Sequence, residues 1–152
     1  MIRIGLDTNI LAYLAGVDRG MSDGDKINAV RALLRRLVGC ADFVVSTQAY
    51  GEVFVVLTRS GASRDEAREI IQAFQQEFAL VGVTPDNFAT ALNLAADHQL
   101  QMWDSIIIAT TAAAGCTILL SEDMQHGFRT GSLFIINPFN AVMHERLTGI
   151  LE

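Results

Sequence analysis

Short apolar segments of strand length alternate with longer amphipathic segments along this chain. The strand-like segments are residues 2–6, 43–45, 80–83, 116–120 and 133–136. Between them, apolar residues recur every three or four positions, as at Ile27, Val30, Leu34 and Leu37, which is the spacing of an amphipathic helix. Strands that alternate with helices pair in parallel through right-handed crossovers. The sequence therefore predicts an α/β fold with a parallel sheet.

Two consecutive helices without a strand between them are predicted after the second strand. The first carries Glu52 and ends near Gly61, and Ser63 with Glu66 forms a capping box for the second. We expect these helices to form a hairpin beside the sheet. A further capping signal at residues 22–25 precedes the helix that begins near Lys26.

Length and composition predict one globular domain that spans residues 1–152. Hydrophobic residues make up 51% of the chain, charged residues 18%, and there are two prolines. A chain of this size buries roughly two-thirds of the surface that its unfolded form exposes, and this composition is not that of a disordered protein.

No segment has the pattern of a membrane span or a secretory leader. The longest apolar run, residues 106–120, is interrupted by threonines and a glycine, so it is shorter than the roughly 18 apolar residues that a span needs. The first residues run directly into a strand without a charged leader and apolar core. We therefore expect a cytoplasmic protein, with Cys40 and Cys116 as buried free thiols.

Acidic residues recur where the predicted elements meet. Asp7 and the pair Glu122-Asp123 directly follow strands, Glu52 lies early in the helix after the second strand, and Asp104 begins its own helix. In a parallel sheet such positions converge at the carboxyl ends of the strands. Converging carboxylates repel one another unless cations neutralise them, and oxygen-only ligands are typical of Mg²⁺ or Mn²⁺. The sequence therefore predicts a divalent metal site.

Each acidic residue also has a simpler structural explanation. Asp7 and Asp104 can act as helix N-caps, Glu52 can be a solvated helix residue, and Glu122-Asp123 can form an exposed turn. Taken together these explanations are less attractive, because the helix of Glu52 is otherwise mostly apolar. A buried carboxylate needs a counter-charge.

Four segments carry a resemblance to a known family. They are Asp7-Thr8-Asn9 after the first strand, Glu52 in mid-chain, residues 103–109 (WDSIIIA) and residues 119–125 (LLSEDMQ). In this order and combination they resemble the PIN domain, especially the VapC-type ribonuclease toxins of prokaryotic toxin–antitoxin pairs. The resemblance covers nearly the whole chain.

The resemblance implies an α/β/α sandwich, a pocket that binds Mg²⁺ or Mn²⁺, and hydrolysis of RNA phosphodiester bonds. The catalytic positions that it implies are Asp7, Glu52, Asp104 and Asp123, of which Asp7, Asp104 and Asp123 are metal ligands. Supporting roles fall on Asn9, Ser121 and Glu122. The resemblance further implies a homodimer, helped by the apolar hairpin of residues 53–78, and an antitoxin partner that lays a peptide across the acidic pocket.

The charge of the chain is unusual for a protein that binds RNA. The formal net charge is −6, and Lys26 is the single lysine, whereas affinity for nucleic acids comes largely from Lys and Arg. Bound divalent ions would lessen this disadvantage. The candidates for contact with phosphate or with an antitoxin are Arg31, Arg35, Arg36, Arg59 and Arg129. A solvated helix face is the simpler explanation for each.

Two other function classes remain open from the residues. A phosphoacceptor domain or phosphatase also has an Asp after the first strand of a parallel sheet, but it needs a nearby lysine and often a second acid, and Asn9 occupies that second position. A binding module without catalysis would use the acids structurally. Dinucleotide, P-loop and nucleophile-elbow motifs do not occur.

Overall fold

The computed structural model describes residues 1–18 and 23–152. The elements are β1 (Ile2–Leu6), α1 (Thr8–Leu14), α2 (Gly24–Leu37), β2 (Ala41–Ser46), α3 (Thr47–Arg59), α4 (Arg64–Glu77), β3 (Ala79–Val81), α5 (Pro85–His98), α6 (Met102–Ala113), β4 (Ile118–Leu120), β5 (Arg129–Thr130), β6 (Leu133–Ile136) and α7 (Glu145–Leu151). Ser22, in the predicted capping signal before α2, lies outside the described residues.

The strands form one sheet in the order β3-β2-β1-β4-β6-β5. All neighbouring strands pair in parallel except β5, which pairs with β6 antiparallel. The predicted α/β fold with a central parallel sheet is therefore confirmed, and the sheet has one antiparallel edge strand, β5, that was not predicted. Strand order reverses at β1, which pairs with β2 on one side and with β4 on the other. Ligands of such sheets bind at this switch point.

The central strands pack closely against α6 in the core. Ile4, Leu6, Leu119 and Leu120 are fully buried. A Cβ atom at Gly5 would lie 3.0 Å from side-chain carbons of both Leu119 and Thr111, so the glycine allows α6 to approach β1 closely. This packing fixes the direction of α6, which carries Asp104 in its first turn.

The predicted helical hairpin consists of α3 and α4. Ser63 and Glu66 form the reciprocal capping box at the start of α4, as the sequence predicted. On α4, Ala67 is buried, and Phe74 stacks on Phe78 with ring centroids 5.7 Å apart. The hairpin thus packs against the sheet through its aromatic end, because Phe78 also contacts Phe43 of β2.

The two cysteines have different environments. Cys116 is buried, as predicted, but Cys40 is exposed, and both are free thiols. The prediction for Cys40 is wrong because this residue follows Gly39, whose φ of +87° turns the chain between α2 and β2 at the surface. Within residues 1–18 and 23–152, no helix has the length and apolar character needed to cross a bilayer.

Candidate active site

Asp7 lies at the end of β1, at the switch point of the sheet. Its backbone N–H donates to the Leu120 carbonyl at 3.0 Å, which joins β1 to β4. Its Oδ1 accepts from the Thr8 N–H at 2.7 Å, and its Oδ2 accepts from the Ser121 hydroxyl at 2.7 Å. The carboxylate therefore caps α1 and is held in one orientation.

Burial, with smaller contributions from the charges of Asp104 and Glu52, raises the pKa of Asp7 to about 6, against the lowering effect of the hydrogen bonds from Ser121 and Thr8. The residue is only 6% exposed. N-capping alone favours the charged form of a carboxylate. The raised pKa therefore indicates that negative charge at this position is not fully compensated.

Ser121 connects three chain segments behind Asp7. It follows β4 and is fully buried. Its backbone N–H donates to the Ile136 carbonyl at 3.0 Å, and its Oγ accepts from the Met124 N–H at 3.2 Å while donating to Asp7. The hydroxyl thus positions Asp7 from outside the cleft.

Glu52 projects from α3 towards the start of α1. Its Oε2 accepts from the Thr8 hydroxyl at 2.6 Å, and its Oε1 accepts from the Gln48 side chain at 3.1 Å. The sequence prediction did not include Thr8 or Gln48. Gln48 lies one turn before Glu52 on the same helix face, a spacing that supports such a pair.

Asp104 enters the same region from the first turn of α6. Burial, followed by the charges of Glu52 and Asp123, raises its pKa. Among the residues that the structure describes, no group donates a hydrogen bond to this carboxylate. Asp104 is therefore a half-buried acid whose nearest charges have the same sign.

Asp123 and Glu122 are adjacent but point to different partners. Asp123 is exposed, and its Oδ2 accepts from the Asn9 side chain. Glu122 accepts instead from the Lys26 ammonium, and this bond raises the pKa of Lys26. The Lys26 nitrogen also lies 5.5 Å from the centre of the Phe139 ring. Glu122 is thus directed away from the other acids.

One cleft of about 720 Å³ collects the four acids that the sequence predicted as catalytic. Its lining comprises Asp7, Thr8, Asn9, Thr47, Gln48, Gly51, Glu52, Val55, Val56, Arg59, Gln101, Asp104 and Asp123. Ser121 and Glu122 do not line the cleft. The roles that the sequence predicted for all these residues stay predictions, but the structure brings Asp7, Glu52, Asp104, Asp123 and Asn9 together.

The donor set in the cleft suits a hard divalent cation. Carboxylate and amide oxygens are the ligands of Mg²⁺ and Mn²⁺, and the raised pKa values of Asp7 and Asp104 indicate charge that a cation would neutralise. In the described part of the chain, no three acidic, histidine or cysteine side chains already form a metal-binding group. An ion would therefore have to draw the acids closer together.

One protein-family model matches most of the chain. The model of the PIN domain family matches residues 4–129. The chain belongs to the PIN domain family. The match covers the four acids of the cleft and ends at β5, so it confirms the family resemblance seen in the sequence.

Solved structures of similar fold include toxin–antitoxin proteins. VapBC2 from Rickettsia felis, in a crystal structure with a DNA fragment from its promoter, superposes with a TM-score of 0.66 at 13% identity, over 88% of this chain and 97% of that chain. A toxin–antitoxin complex from Klebsiella pneumoniae gives 0.65 at 18% identity, over 90% and 98%. At identities this low, the two superpositions show a shared fold and no more.

A third structure is that of a toxin whose target is known. VapC20 from Mycobacterium tuberculosis, a Sarcin-Ricin loop cleaving toxin, gives a TM-score of 0.58 at 20% identity, over 76% of this chain and 86% of that chain. No curated protein matches the sequence.

Proposed function

We propose that this PIN domain is a divalent-metal-dependent endoribonuclease and the toxin of a toxin–antitoxin pair. One observation carries the proposal: four carboxylates from β1, α3, α6 and the β4 end line one cleft at the switch point. Two of them have pKa values raised by burial and by the other acids. An arrangement of this kind is costly for a merely structural role.

Asp7, Asp104 and Asp123 are the residues that would hold the ion. A bound divalent ion supplies positive charge beside a phosphate and makes a water molecule a better nucleophile at neutral pH. The bonds from Thr8 and Ser121 fix Asp7, and the bond from Asn9 restrains Asp123. These partners keep the acids at the cleft even though they repel one another.

Glu52 would orient the water that attacks phosphorus. Thr8 holds its Oε2 at 2.6 Å, whereas the bond from Gln48 to its Oε1 is longer, at 3.1 Å. We assign Oε1 as the atom that accepts a hydrogen bond from the water, because its present donor is the weaker one. The water oxygen would bond to phosphorus as the bond from phosphorus to the 3′ oxygen breaks. The water would release a proton and the 3′ oxygen would take one up from solvent, so that the products carry a 5′-phosphate and a 3′-hydroxyl.

The similar structures support the choice of substrate and partner. Two of them are toxin–antitoxin complexes and the third is a toxin that cleaves the Sarcin-Ricin loop. For this chain we accordingly propose an RNA substrate, a cognate antitoxin, a homodimer and a cytoplasmic location. Mg²⁺ or Mn²⁺ is the proposed cofactor.

The phosphoacceptor alternative has less support from the site. Such a domain needs a lysine beside its phosphorylated aspartate, but Lys26 bonds to Glu122 and does not line the cleft. Asn9, at the position of a second acid, bonds to Asp123. Acylphosphate on Asp7 after incubation with a phosphoryl donor analogue would favour that alternative over ours.

The proposal is tested by incubating the protein with a panel of structured and single-stranded RNAs in Mg²⁺, Mn²⁺ or EDTA and mapping the product ends. We expect cleavage with either ion, none in EDTA, and 5′-phosphate termini. We also expect the ion to raise the melting temperature of the wild type more than that of Asp104→Asn. Cleavage that persists in EDTA would contradict metal dependence, and an unchanged melting temperature would favour a binding module with structural acids.

A further inference from the structure

One face of α3 forms a wall of the acidic cleft. The residues of this face are Gln48, Gly51, Glu52, Val55, Val56 and Arg59, all of which line the cleft. The opposite face, with Ala49, Tyr50, Val53 and Leu57, is buried in the core. This division follows from helical periodicity. The cleft therefore extends along α3 from Glu52 to Arg59, a rise of about 10 Å at 1.5 Å per residue.

Arg59 is the one cationic side chain in the lining of this cleft as the structure describes it. Within residues 1–18 and 23–152, its guanidinium forms no ion pair and no hydrogen bond to a side chain. Several other arginines are engaged: Arg3 and Arg31 donate to carbonyls, Arg68 pairs with Asp65, and Arg146 lies over Phe134. Arg59 thus keeps its donors available.

The α3 wall of the cleft is low beside Glu52 and uncharged between Glu52 and Arg59, where Val55 and Val56 line it. Gly51 has no side chain, and a Cβ atom added there would meet nothing within 4 Å. Val55 is 42% exposed. A strand of nucleic acid can therefore lie along this wall without a desolvated polar group beneath it.

We propose that Arg59 binds a phosphate of the RNA strand next to the phosphate that is cleaved; this inference rests on the proposed ribonuclease function. The acidic end of the cleft repels a polyanion. A cation nearby is therefore needed to hold the RNA strand in place beside the acids. The planar guanidinium donates two parallel hydrogen bonds to phosphate. Arg59 is then a substrate-positioning residue of a chain whose net charge is −6.

The test compares Arg59→Gln with Arg59→Lys and Arg68→Gln. Arg68→Gln removes the same charge from the exposed pair with Asp65 on α4, away from the cleft. Arg59→Lys retains the positive charge that complements the C-terminal end of α3. It loses the two parallel donors of the guanidinium. Each substitution is made in the wild type for cleavage assays and in Asp104→Asn for binding assays without cleavage.

Binding of a fluorescein-labelled single-stranded RNA oligonucleotide of mixed sequence is measured by anisotropy across a range of salt concentrations. We expect Arg59→Gln to weaken binding about tenfold, as for the loss of one charge-assisted contact. It should also make the slope of log K against log salt shallower by about 0.7, the value for one phosphate on a single strand. Arg59→Lys should keep the slope and bind with intermediate affinity.

Cleavage assays separate this inference from the proposed function. In single-turnover cleavage, Arg59→Gln should raise the half-saturating protein concentration and leave the maximal rate nearly unchanged. If Arg59→Gln and Arg68→Gln bind with the same affinity and the same salt slope, the inference is overturned. This holds even if both bind more weakly than the wild type, because the loss would then come from net charge alone. If the wild type cleaves no RNA, the proposed function fails, and the anisotropy slopes still decide whether Arg59 contacts phosphate.

Discussion

The two edges of the sheet differ in how their charged side chains are compensated. At the amino edge, a groove of about 870 Å³ is lined by apolar side chains and by charged residues of both signs, namely Arg3, Arg31, Arg35, Asp42 and Glu77. Arg3 donates to the Ala114 carbonyl after α6, and Arg31 donates to the Leu14 carbonyl at the end of α1. At the carboxyl edge, Asp7 and Asp104 lie at the starts of these same two helices.

The helix dipole explains why these arginines lie at the C-termini of α1 and α6 and these aspartates at their N-termini, because cations are stabilised at C-termini and anions at N-termini. It does not explain the excess of acid at the carboxyl edge. There Glu52 and Asp123 add charge that raises the pKa of Asp104, whereas Arg3 and Arg31 at the amino edge have carbonyl partners. We infer that the edge with uncompensated charge is the functional one.

The largest expected effect is on cleavage. Asp104→Asn should lower the single-turnover rate by about 10³-fold or more, because the charge stabilisation that a bound ion provides is worth several kcal/mol. The matched control is Asp42→Asn, an exposed acid in the amino-edge groove, which should cleave at the wild-type rate. Retention of wild-type activity by Asp104→Asn would remove the functional distinction between the edges.

The next effect is on stability and concerns the hydrogen bonds of each edge. Ser121→Ala removes the buried donor to Asp7 and should lower the free energy of unfolding at pH 7 by about 1.5–3 kcal/mol, the range for a hydrogen bond to a charged group. Arg31→Gln loses a 3.3 Å bond near the surface and should change it by less than about 0.5 kcal/mol. Urea unfolding in EDTA measures the free energy of unfolding of both variants. Equal losses would contradict the difference between the two edges of the sheet.

The pH dependence of stability should report Asp7 directly. Its pKa in the folded state is about 6, above the ordinary value of 3.8 for an aspartate, so the folded protein binds more protons than the unfolded chain between these pH values. Stability in EDTA therefore falls as pH rises through this window, by about 1 kcal/mol between pH 5 and pH 7. Asp7→Asn should lack this component and be at least as stable as the wild type at pH 7. If Asp7→Asn had the same pH profile of stability as the wild type, burial would not destabilise the charged form of Asp7.

The smallest effect concerns the wall of the cleft. Gly51 lies inside α3 with free space around it, so Gly51→Ala should raise the free energy of unfolding by about 0.5–1 kcal/mol. The added methyl group narrows the path along α3, and we expect slower cleavage. Gly149→Ala in α7, also with free space, should stabilise without affecting cleavage. Faster or unchanged cleavage by Gly51→Ala would argue against a substrate path along this wall.

Sequence reasoning predicted the site as far as local rules extend. Asp7 after β1 and Asp123 after β4 follow from strand pattern and from the convergence of parallel strands, whereas the supporting role of Ser121 was implied by the family resemblance alone. The bonds from Thr8 to Glu52 and from Asn9 to Asp123 join residues far apart in the chain, so no local spacing predicts them.

Other features depended on tertiary context in the same way. The pairing of Glu122 with Lys26 was not predicted from the sequence. The antiparallel strand β5 has only two residues, too few to give a periodic signal. The exposure of Cys40 depends on the turn at Gly39 and not on the apolar character of its neighbours.

Anomalous diffraction from crystals of the wild-type protein soaked in Mn²⁺ tests the metal site itself. We expect a manganese peak in the carboxyl-edge cleft, in contact with oxygen atoms of Asp7, Asp104 and Asp123, and loss of that peak in Asp104→Asn. A cleft without a peak at saturating Mn²⁺, or a peak bound only by residues outside the cleft, would contradict this expectation.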